Sequence, residues 1–334
     1  MRSIFLATCA LAIAAVLGPN GTARAQTPVL TVLTYESFAS EWGPGPAIEE
    51  AFEAMCACDL DLVPAGDGAQ LLARLRLEGA RSRADVVLGL DAGLMVGAEA
   101  TGLFAPHGVS GGHDLPVAWD DPLFVPFDWG WFALVHDTSR VPVMPTSFAE
   151  LAASDLRIVI QDPRSSTPGL GLVMWLKAAF GDQAGAMWRE LADNVVTVTP
   201  GWSAAYELFL KDEADAVLSY TTSPGYHLIA EGDATKAAVM MDEGNYLQVE
   251  VAGLLANAPQ PELGRRFLEF LLTDEAQSIL PETNWMYPAR MPAQGLSEAF
   301  AGLPRPSRTL FVSPAEAHAL RDAAVAEWRD ALSR

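Results

Sequence analysis

The first third of the chain alternates between two patterns of apolar residues. Residues 29–38 (VLTVLTYESF) form a β-branched, apolar run that ends in polar and aromatic residues, as a buried strand leading into a loop does. Farther on, Ile48, Phe52 and Met55 recur at helical spacing. The predicted order is strand 29–38, helix 47–55, strand 59–63, helix 69–79 and strand 83–91. This alternation predicts a parallel α/β sheet.

A second α/β pattern occupies the middle of the chain, between two long extended segments. The extended segments are FVPFDWGWFALVHD (124–137) and YLQVEVAGLLA (246–256). Between them, the pattern predicts helix 145–154, strand 157–163, a helix from Pro168, strand 196–199, helix 202–214 and strand 215–220. After the second extended segment, one helix is predicted over 261–280 and a last helix over 313–332.

The economical interpretation is a two-lobed α/β protein. Each lobe is then a mixed, mostly parallel sheet flanked by helices, and the two long segments cross between the lobes as a hinge. Ligands of parallel α/β sheets bind beyond the carboxyl ends of the strands, so the cleft between the lobes is the predicted site. The predicted division is 1–25 as a signal peptide, 26–124 as the first part of lobe 1, 125–249 as lobe 2, and 250–334 as the return to lobe 1.

The first 25 residues have the organisation of an export signal. A basic start is followed by an apolar run, which closes on the small-x-small triplet Ala23-Arg24-Ala25. The run is shorter than the roughly 20 residues that span a bilayer. We expect cleavage after Ala25 and a periplasmic mature protein, with a retained N-terminal anchor as the alternative.

The chain is strongly acidic. It carries 42 Asp and Glu against 21 Lys and Arg, a formal net charge of −21, and the predicted cleavage removes two basic residues and no acidic ones. This charge disfavours nucleic acid and anionic membrane surfaces as partners and mildly favours a cationic ligand. Half of the residues are apolar, which is enough for two packed units.

Two cysteines follow the predicted signal peptide, Cys56 and Cys58 in MCACDL. In an oxidising compartment they can close a small disulfide loop, and free thiols are the alternative. Two thiolates with no histidine at ligand spacing make a poor zinc site, so no metal is expected.

Small hydroxyl residues stand twice at predicted helix starts. The stretches are QDPRSSTPGLG (161–171) and SYTTSPGY (219–226), and in each a Ser/Thr-Pro pair follows a strand. Ser166 or Thr167 can cap one helix, and Ser223 can cap the other. Helix starts of this kind also offer free N–H groups to an acceptor or a phosphate. Capping alone explains either instance, but two instances in one predicted lobe favour a ligand site.

Aromatic residues next to turn signals are a second ingredient. Their ring faces attract cations and stack on flat heterocycles. Asp67, between two glycines, can accept a hydrogen bond from an amine or offset a positive charge. A flat cationic heterocycle with a hydroxyl or phosphate tail would use all these groups, and ordinary packing is the alternative for each. The aromatic candidates are Tyr35, Trp42, Trp202, Tyr220, Tyr226 and Trp285.

Several longer blocks of the sequence resemble one family. The resemblance is to the periplasmic thiamine-binding proteins of bacterial ABC importers, and it extends from about residue 29 to residue 290. It implies a two-lobed periplasmic binding protein fold, a binding role without catalysis, no cofactor, and thiamine or its mono- or diphosphate as ligand. It also implies a monomer that delivers the vitamin to an inner-membrane permease with its ATPase. The matching blocks are LTVLTYESFASEWGPGP, RADVVLGLD, FVPFDWGWFALV, DPRSSTPGLG, GWSAAYELFL, LSYTTSPGYH, YLQVEVA and NWMYP.

The resemblance also implies a set of ligand residues. Ring faces would hold the pyrimidine and the thiazolium cation, Asp67 would serve an amino group, and hydroxyl groups would take the hydroxyethyl or phosphate end. The implied residues are Asp67, Gly68, Ser166, Thr167, Trp202, Tyr220, Thr221, Thr222 and Ser223, with Tyr35, Trp42, Tyr226 and Trp285 around the rings.

Other classes of protein compete with this interpretation. A thiaminase-like secreted enzyme would share the architecture but needs a cysteine nucleophile, whereas the two cysteines here are predicted to pair with each other. A serine hydrolase would need a Gly-x-Ser-x-Gly elbow, which the sequence lacks. A ferric-iron carrier would need a tyrosine pair where SYTTS offers one tyrosine, and a polyamine carrier would need several carboxylates. We therefore expect two lobes that close on a small cation without catalysis.

Overall fold

The computed structural model describes residues 27–333. The predicted signal peptide and its cleavage site lie outside these residues. Within 27–333, no helix combines the length and the apolar character that crossing a bilayer requires.

Twelve strands of the described residues form one sheet. The order along the sheet is β2-β1-β3-β10-β5-β8-β6-β7, with β4 and β12 paired to β10, and β9 and β11 paired to β5. The strands are β1 (Val29–Thr34), β2 (Asp59–Pro64), β3 (Val86–Asp91), β4 (Phe104–Ala105), β5 (Phe124–Asp137), β6 (Ile158–Gln161), β7 (Val195–Thr199), β8 (Ala216–Tyr220), β9 (Lys236–Ala238), β10 (Asn245–Leu255), β11 (Tyr287–Pro288) and β12 (Thr309–Leu310).

Helices connect the strands and cover the sheet. Three short segments are not α-helical: 3₁₀ turns at Gly79–Arg81 and Gly181–Gln183, and a π-helix at His227–Glu231. The α-helices are α1 (Glu36–Ala39), α2 (Gly45–Cys56), α3 (Gly68–Glu78), α4 (Met95–Glu99), α5 (Phe148–Ala152), α6 (Thr167–Phe180), α7 (Ala184–Leu191), α8 (Trp202–Leu210), α9 (Ser223–Tyr226), α10 (Pro261–Phe270), α11 (Asp274–Thr283), α12 (Glu298–Ala301) and α13 (Pro314–Leu332).

The two long strands β5 and β10 join the two halves of the sheet. β10 lies antiparallel to β3 on one side and to the first part of β5 on the other, and the second part of β5 pairs with β8. Both strands are buried along their whole length, as expected of near-continuous apolar runs covered on both faces. On either side of them the strands are parallel, β1 with β2 and β3, and β6 with β7 and β8. The predicted fold class, with mostly parallel sheets and two crossover strands, is confirmed.

The boundaries between the lobes stay a prediction. The predicted division at 124 coincides with the first residue of β5, and the division at 250 falls inside β10. The last helix, α13, packs against α6 and α7 of the middle segment as well as against α4. The C-terminal segment therefore contacts both predicted lobes.

Three local predictions are wrong. The strand expected over 29–38 ends at Thr34, and the helix α1 begins at Glu36. One helix was expected over 261–280, but the chain breaks there into α10 and α11, because the Thr273 hydroxyl accepts a hydrogen bond from the amide of Ala276 and starts a new helix. Ser223 was expected to cap a helix, but Thr222 is the N-cap residue of α9, which lasts four residues before the π-helix. Ser166 does stand at the N-cap of α6, yet its side chain makes no capping hydrogen bond.

Cys56 and Cys58, the two cysteines expected to pair, lie at the end of α2. The structure joins the two residues in a disulfide, and Ala57 between them adopts a φ of 54°, in the left-handed region. Both cysteines of the described chain are therefore bonded, and neither offers a thiolate.

Candidate functional site

Side chains from both predicted lobes meet at the carboxyl ends of the strands. Tyr35 follows β1, Asp67 follows β2, Ser166 follows β6, and Trp202 follows β7. The direct link is a hydrogen bond from Ser166 Oγ to Asp67 Oδ2 at 2.5 Å, between residues 99 positions apart in the chain. The predicted cleft thus brings sequence-distant candidates into contact.

Asp67 lies where the starts of three helices converge. Its carboxylate accepts from the amide of Gly68 at 2.8 Å and forms a capping box with Gln70 at the start of α3. Burial raises the pKa of Asp67, while hydrogen bonds from Ser166 and from the amides of Gly68, Thr167 and Trp202 act in the opposite direction. The amides come from the starts of α3, α6 and α8, so this carboxylate ties the two lobes together.

Gly68 allows the start of α6 to approach the start of α3. A Cβ atom at Gly68 would lie 2.2 Å from Thr167 Oγ1, far inside contact distance. The Thr167 hydroxyl is itself buried and has no hydrogen-bond partner within residues 27–333. A side chain at this position would displace the Thr167 hydroxyl, so glycine lets the two helix starts come this close.

A pair of indole rings faces the cleft from opposite lobes. The rings of Trp42 and Trp202 lie 6.3 Å apart and are inclined by 44°. Trp202 is held by a hydrogen bond from its Nε1 to Ser219 Oγ at 2.8 Å and by stacking on Tyr206 at 4.9 Å. Trp42 is 56% exposed, so one ring is fixed and the other is open to solvent.

A second pair of rings also joins the two predicted lobes. Tyr226 of the middle segment and Trp285, which follows α11, contact each other edge to face at 5.5 Å. Trp285 adopts a φ of 57°, a conformation that bulky residues rarely take and that marks local strain. A hydrogen bond between Tyr226 and Glu231 raises the pKa of the tyrosine. Each ring pair therefore takes one member from either predicted lobe.

The hydroxyl groups of 221–223 differ in their surroundings. The Ser223 hydroxyl shares a hydrogen bond with Ser219 at 2.7 Å and accepts from the amide of Tyr220 at 3.2 Å. The hydroxyls of Thr221 and Thr222 are buried and find no partner among the described residues. Buried hydroxyl groups are nearly always hydrogen-bonded, so these two threonines are the stronger candidates for ligand contacts.

Three acids that the sequence did not single out as ligand residues lie side by side across the sheet. Asp91 of β3 is opposite Glu250 of β10, and Glu250 is opposite Asp128 of β5. All three are buried, with exposed fractions of 5%, 7% and 0% in that order. We call these residues the acid row. Acidic side chains directly opposite each other destabilise a sheet when they are charged.

A network of hydrogen bonds holds the acid row. Tyr35 donates from its hydroxyl to Glu250 Oε2 at 2.8 Å, and Gln248 donates to Glu250 Oε1 at 2.7 Å. Asn284 donates to Asp128 Oδ2 at 2.5 Å and to the Tyr35 hydroxyl at 2.9 Å. The other oxygen of Asp128 is buried without a partner in the described chain. Tyr35, a candidate from the sequence, thus reaches the acid row rather than standing free in the cleft.

Burial sets the protonation of the acid row. It raises the pKa of Asp128 to about 8 and that of Asp91 to about 7, and it raises the pKa of Glu250 well above its usual value. None of the ion pairs among residues 27–333 involves these three acids. The pKa of Tyr220 is raised well above its usual value by burial and by the charges of Glu250 and Asp67, so this candidate stands beside the row.

The sequence contained a signal for the acid row. Asp128 and Glu250 each interrupt a long apolar run, and an ionisable residue inside a fully buried strand is costly unless it is paired or functional. Asn284 and Gln248 carried no comparable signal, because amides are ordinary at a helix end and within a strand.

A cluster of His227, Glu231 and Asp233 has ligand atoms within 4.8 Å of one another. These atoms already have protein partners, since His227 Nδ1 is bonded to Glu231 at 2.6 Å and Asp233 pairs with Lys236 at 2.9 Å. The buried His227 also contacts the hydroxyl of Tyr206 at 3.0 Å. The cluster therefore works as a hydrogen-bond network behind the ring of Trp202, and the expectation of no metal stays a prediction.

Comparison with known proteins identifies the family of this chain. A model described as bacterial extracellular solute-binding protein matches residues 46–283. The chain is 51% identical to the thiamine-binding periplasmic protein of Escherichia coli (strain K12) over 310 residues, 92% of this chain and 94% of that one. It is 46% identical to the protein of the same name from Brucella melitensis biotype 1 over 337 residues, 100% of either chain.

A solved structure agrees with the sequence relatives. It is described as a periplasmic thiamin binding protein, it superposes with a TM-score of 0.90 at 50% identity, and the match covers 93% of this chain and 98% of that one. The chain belongs to the bacterial extracellular solute-binding proteins and, within them, to the family of periplasmic thiamine-binding proteins.

Proposed function

We propose that this protein captures thiamine between its two lobes and delivers it to an inner-membrane permease of an ABC importer. The observation that carries the proposal is the pair of ring contacts, Trp42 with Trp202 and Tyr226 with Trp285, each made by one ring from either lobe. These contacts bring aromatic rings of both predicted lobes together at the cleft, where their faces would pack against a flat ligand. The names of the relatives, thiamine-binding periplasmic proteins, support thiamine as that ligand.

The chemistry of the cleft suits this vitamin. Thiamine has a flat aminopyrimidine, a thiazolium cation and a hydroxyethyl tail. Aromatic faces would hold the rings, with each desolvated cation–π contact contributing roughly 0.5–2 kcal/mol. The acidic residues of the cleft would offset the positive charge. The free hydroxyl groups of Thr167, Thr221 and Thr222 would accept or donate at the polar end of the ligand.

Closure of the lobes would retain the ligand. The hydrogen bond between Asp67 and Ser166 and the contact of Gly68 with Thr167 both require the lobes to be close together. A ligand that touches rings from both lobes stabilises this closed form and shifts the population toward it. Opening at the permease would then release the vitamin.

The phosphorylated forms of thiamine are further ligands under this proposal. The start of α6, with Ser166 at its N-cap and Thr167 at its first position, presents backbone amides and hydroxyls of the kind that bind phosphate. Asp67 lies at the same place, and in its ionised form it opposes the binding of a doubly charged tail.

The remaining parts of the proposal concern location and chemistry. We propose a monomeric periplasmic protein, in line with the word periplasmic in the names of its relatives. We also propose that it binds thiamine without converting it. The disulfide between Cys56 and Cys58 removes the thiolates that a thiaminase-like reaction would need.

Calorimetric titration of the purified protein tests the proposal. We expect thiamine and its phosphates to bind at micromolar concentration or below, at one site per chain. Spermidine and ferric citrate, the ligands of the rival carriers, should give only heats of dilution. Tighter binding of either rival than of thiamine would contradict the proposed ligand. Incubation of thiamine with the protein and an added nucleophile, followed by chromatography, should return the thiamine unchanged.

A further inference from the structure

The acid row presents an electrostatic problem within the cleft. Asp91, Glu250 and Asp128 lie directly opposite one another on three adjacent buried strands. Three ionised carboxylates at this spacing repel one another strongly where water is excluded. A fold that keeps such a row needs protons or a cation to compensate for the negative charge.

The surroundings of Glu250 and Asp128 favour a proton on this pair. The two residues are opposite each other on adjacent buried strands, and their hydrogen-bond donors are the uncharged side chains of Tyr35, Gln248 and Asn284. Two buried carboxylates without a cation repel each other, which favours the protonated form of one of them. The pair therefore holds a proton when no other positive charge is near.

Groups from every neighbouring element face the acid row. Tyr35 follows β1, Tyr220 ends β8, and Asn284 ends α11; all three are uncharged near neutral pH, since burial raises the pKa of both tyrosines. Asp67 adds a negative charge from the start of α3. Arg321 of α13 partly offsets the rise that burial causes in the pKa of Asp91. Glu250 and Asp128 thus have no ion-pair partner within the described chain, and one oxygen of Asp128 is buried and unpartnered.

We propose that the acid row is the cation subsite of the cleft and that a cationic ligand displaces one proton from Glu250 and Asp128 as it binds. This inference rests on the proposed function, since it assigns the positive charge to the thiazolium ring of thiamine. The proton passes to the solvent, so the protonated protein and the cation give the complex and one free proton. The acid row then makes the cleft prefer positively charged ligands to neutral ones.

Two consequences distinguish this subsite from an acidic surface that attracts cations without releasing a proton. Burial raises the pKa of Asp128 to about 8. As the pH rises toward this value, the free energy needed to displace the proton decreases, so thiamine binds more tightly. A neutral isostere of thiamine, with carbon in place of the ring nitrogen, loses affinity and displaces no proton.

The first test uses the unmodified protein. Titrations with thiamine near neutral pH in phosphate and in Tris buffer, which have different ionisation enthalpies, give the number of protons released from the difference in heat. We expect about one proton per thiamine and about none for the neutral isostere. Release of no proton by thiamine at measurable affinity would overturn the inference and leave the proposed function standing. Absence of thiamine binding would overturn both.

The second test uses Glu250→Gln. Glutamine keeps an acceptor for Tyr35 and resembles the protonated acid, so this variant should fold as the wild type does at mildly acidic pH. We expect proton release to disappear and thiamine affinity to fall by roughly tenfold or more, with a flat dependence on pH. Unchanged release in this variant would overturn the inference.

A matched control is Asp85→Asn. Asp85 is a buried acid with a pKa raised by burial, but it caps the amides of Thr31 and Gln260, which take no part in the proposed site. Proton release and thiamine affinity should stay at wild-type values in this variant. Loss of proton release here would mean that buried acids in general, and not the acid row, respond to the ligand.

Discussion

Trp202 shows how a single side chain is prepared for a ligand before any ligand arrives. Its indole nitrogen donates to Ser219, and its ring lies on Tyr206, which in turn contacts the buried His227. These contacts leave few orientations for the ring, so little conformational entropy remains to be lost on binding. The other ring of the pair, Trp42, has no comparable support and is 56% exposed.

Replacement of Trp202 by alanine should weaken thiamine binding at least tenfold, which corresponds to about 1.4 kcal/mol. The cause is loss of the fixed aromatic face. The thermal midpoint without ligand should change little, because the ring is only half-buried at the start of its helix. Calorimetry and thermal unfolding measure the two quantities.

Trp119→Ala is the control for this variant. Trp119 is also half-buried and donates from its indole nitrogen to a backbone oxygen, that of Phe124, but it lies in the segment before β5. Its replacement should leave thiamine affinity unchanged. Equal affinity of the Trp202 variant and the wild type would remove this ring from the proposed site.

The meeting of residues that follow strands could be predicted, whereas the sequence signal at Asp128 and Glu250 does not show that these two acids are neighbours. Asp67, Ser166 and Trp202 follow three different strands, and parallel strands bring such positions to one edge of a sheet. Asp128 and Glu250 lie inside β5 and β10, and their neighbourhood depends on the register of three strands. Register between strands distant in sequence is a tertiary property, and the local pattern of apolar residues does not encode it.

At the scale of elements, the start of one helix packs against the start of another across the predicted cleft. The first turn of α3 presents Gly68, and the first turn of α6 presents Thr167 to it. The contact joins the backbone of α3 to a side-chain hydroxyl of α6, and the burial of Thr167 leaves that hydroxyl little room to move aside.

Gly68→Ala should impair closure of the lobes more than it impairs folding. The added methyl group would lie 2.2 Å from Thr167 Oγ1 across the cleft and 3.2 Å from the backbone oxygen of Gly89 in the same predicted lobe, so the closed form has to shift and the open form keeps one tight contact. We expect thiamine affinity to fall at least tenfold, about 1.4 kcal/mol, with a smaller loss of stability in the absence of thiamine.

Gly112→Ala is the matched control, since a Cβ atom at that glycine meets no atom within 4 Å. Affinity and stability should both stay at wild-type values. A Gly68 variant that binds thiamine as tightly as this control would show that the two helix starts need not meet in the bound state.

The long elements were more predictable than the short ones. The span predicted for β5, residues 124–137, agrees with the structure at both ends because an apolar run of that length has few alternatives. The helix expected over 261–280 overlooked Thr273, a hydroxyl residue followed by two acids, which is a start signal inside an otherwise helical pattern. The second Ser/Thr-Pro stretch led to a short helix and a π-helix, which the hydroxyl pattern alone does not specify.

For the whole molecule, the acid row couples stability to pH. In the folded chain burial raises the pKa values of Asp91 and Asp128 to about 7 and about 8, whereas the pKa of an aspartate in an unfolded chain is about 4. Between these values the folded state binds more protons than the unfolded state. The stabilising effect of these protons is complete at acidic pH and disappears as the pH rises through the folded pKa.

The free energy of unfolding without ligand should therefore decrease from mildly acidic to mildly alkaline pH. Urea unfolding of the wild type at a series of pH values measures this slope. Asp128→Asn should reduce it, because asparagine cannot bind the proton that the native aspartate retains. A wild-type free energy of unfolding that rises across the same interval would contradict the protonation assigned to the row.

The last helix, α13, constrains how the molecule can move. It leans on α6 and α7 on one side of the hinge and on α4 on the other, and the ion pair of Lys177 with Glu327 at 2.7 Å fastens it to α6. Parting of the two predicted lobes would therefore break the contacts of α13 with one of them, and the loss of these contacts would limit how far the cleft opens. The C-terminal helix, distant in sequence from the proposed ligand residues, would thereby restrict the range of the motion.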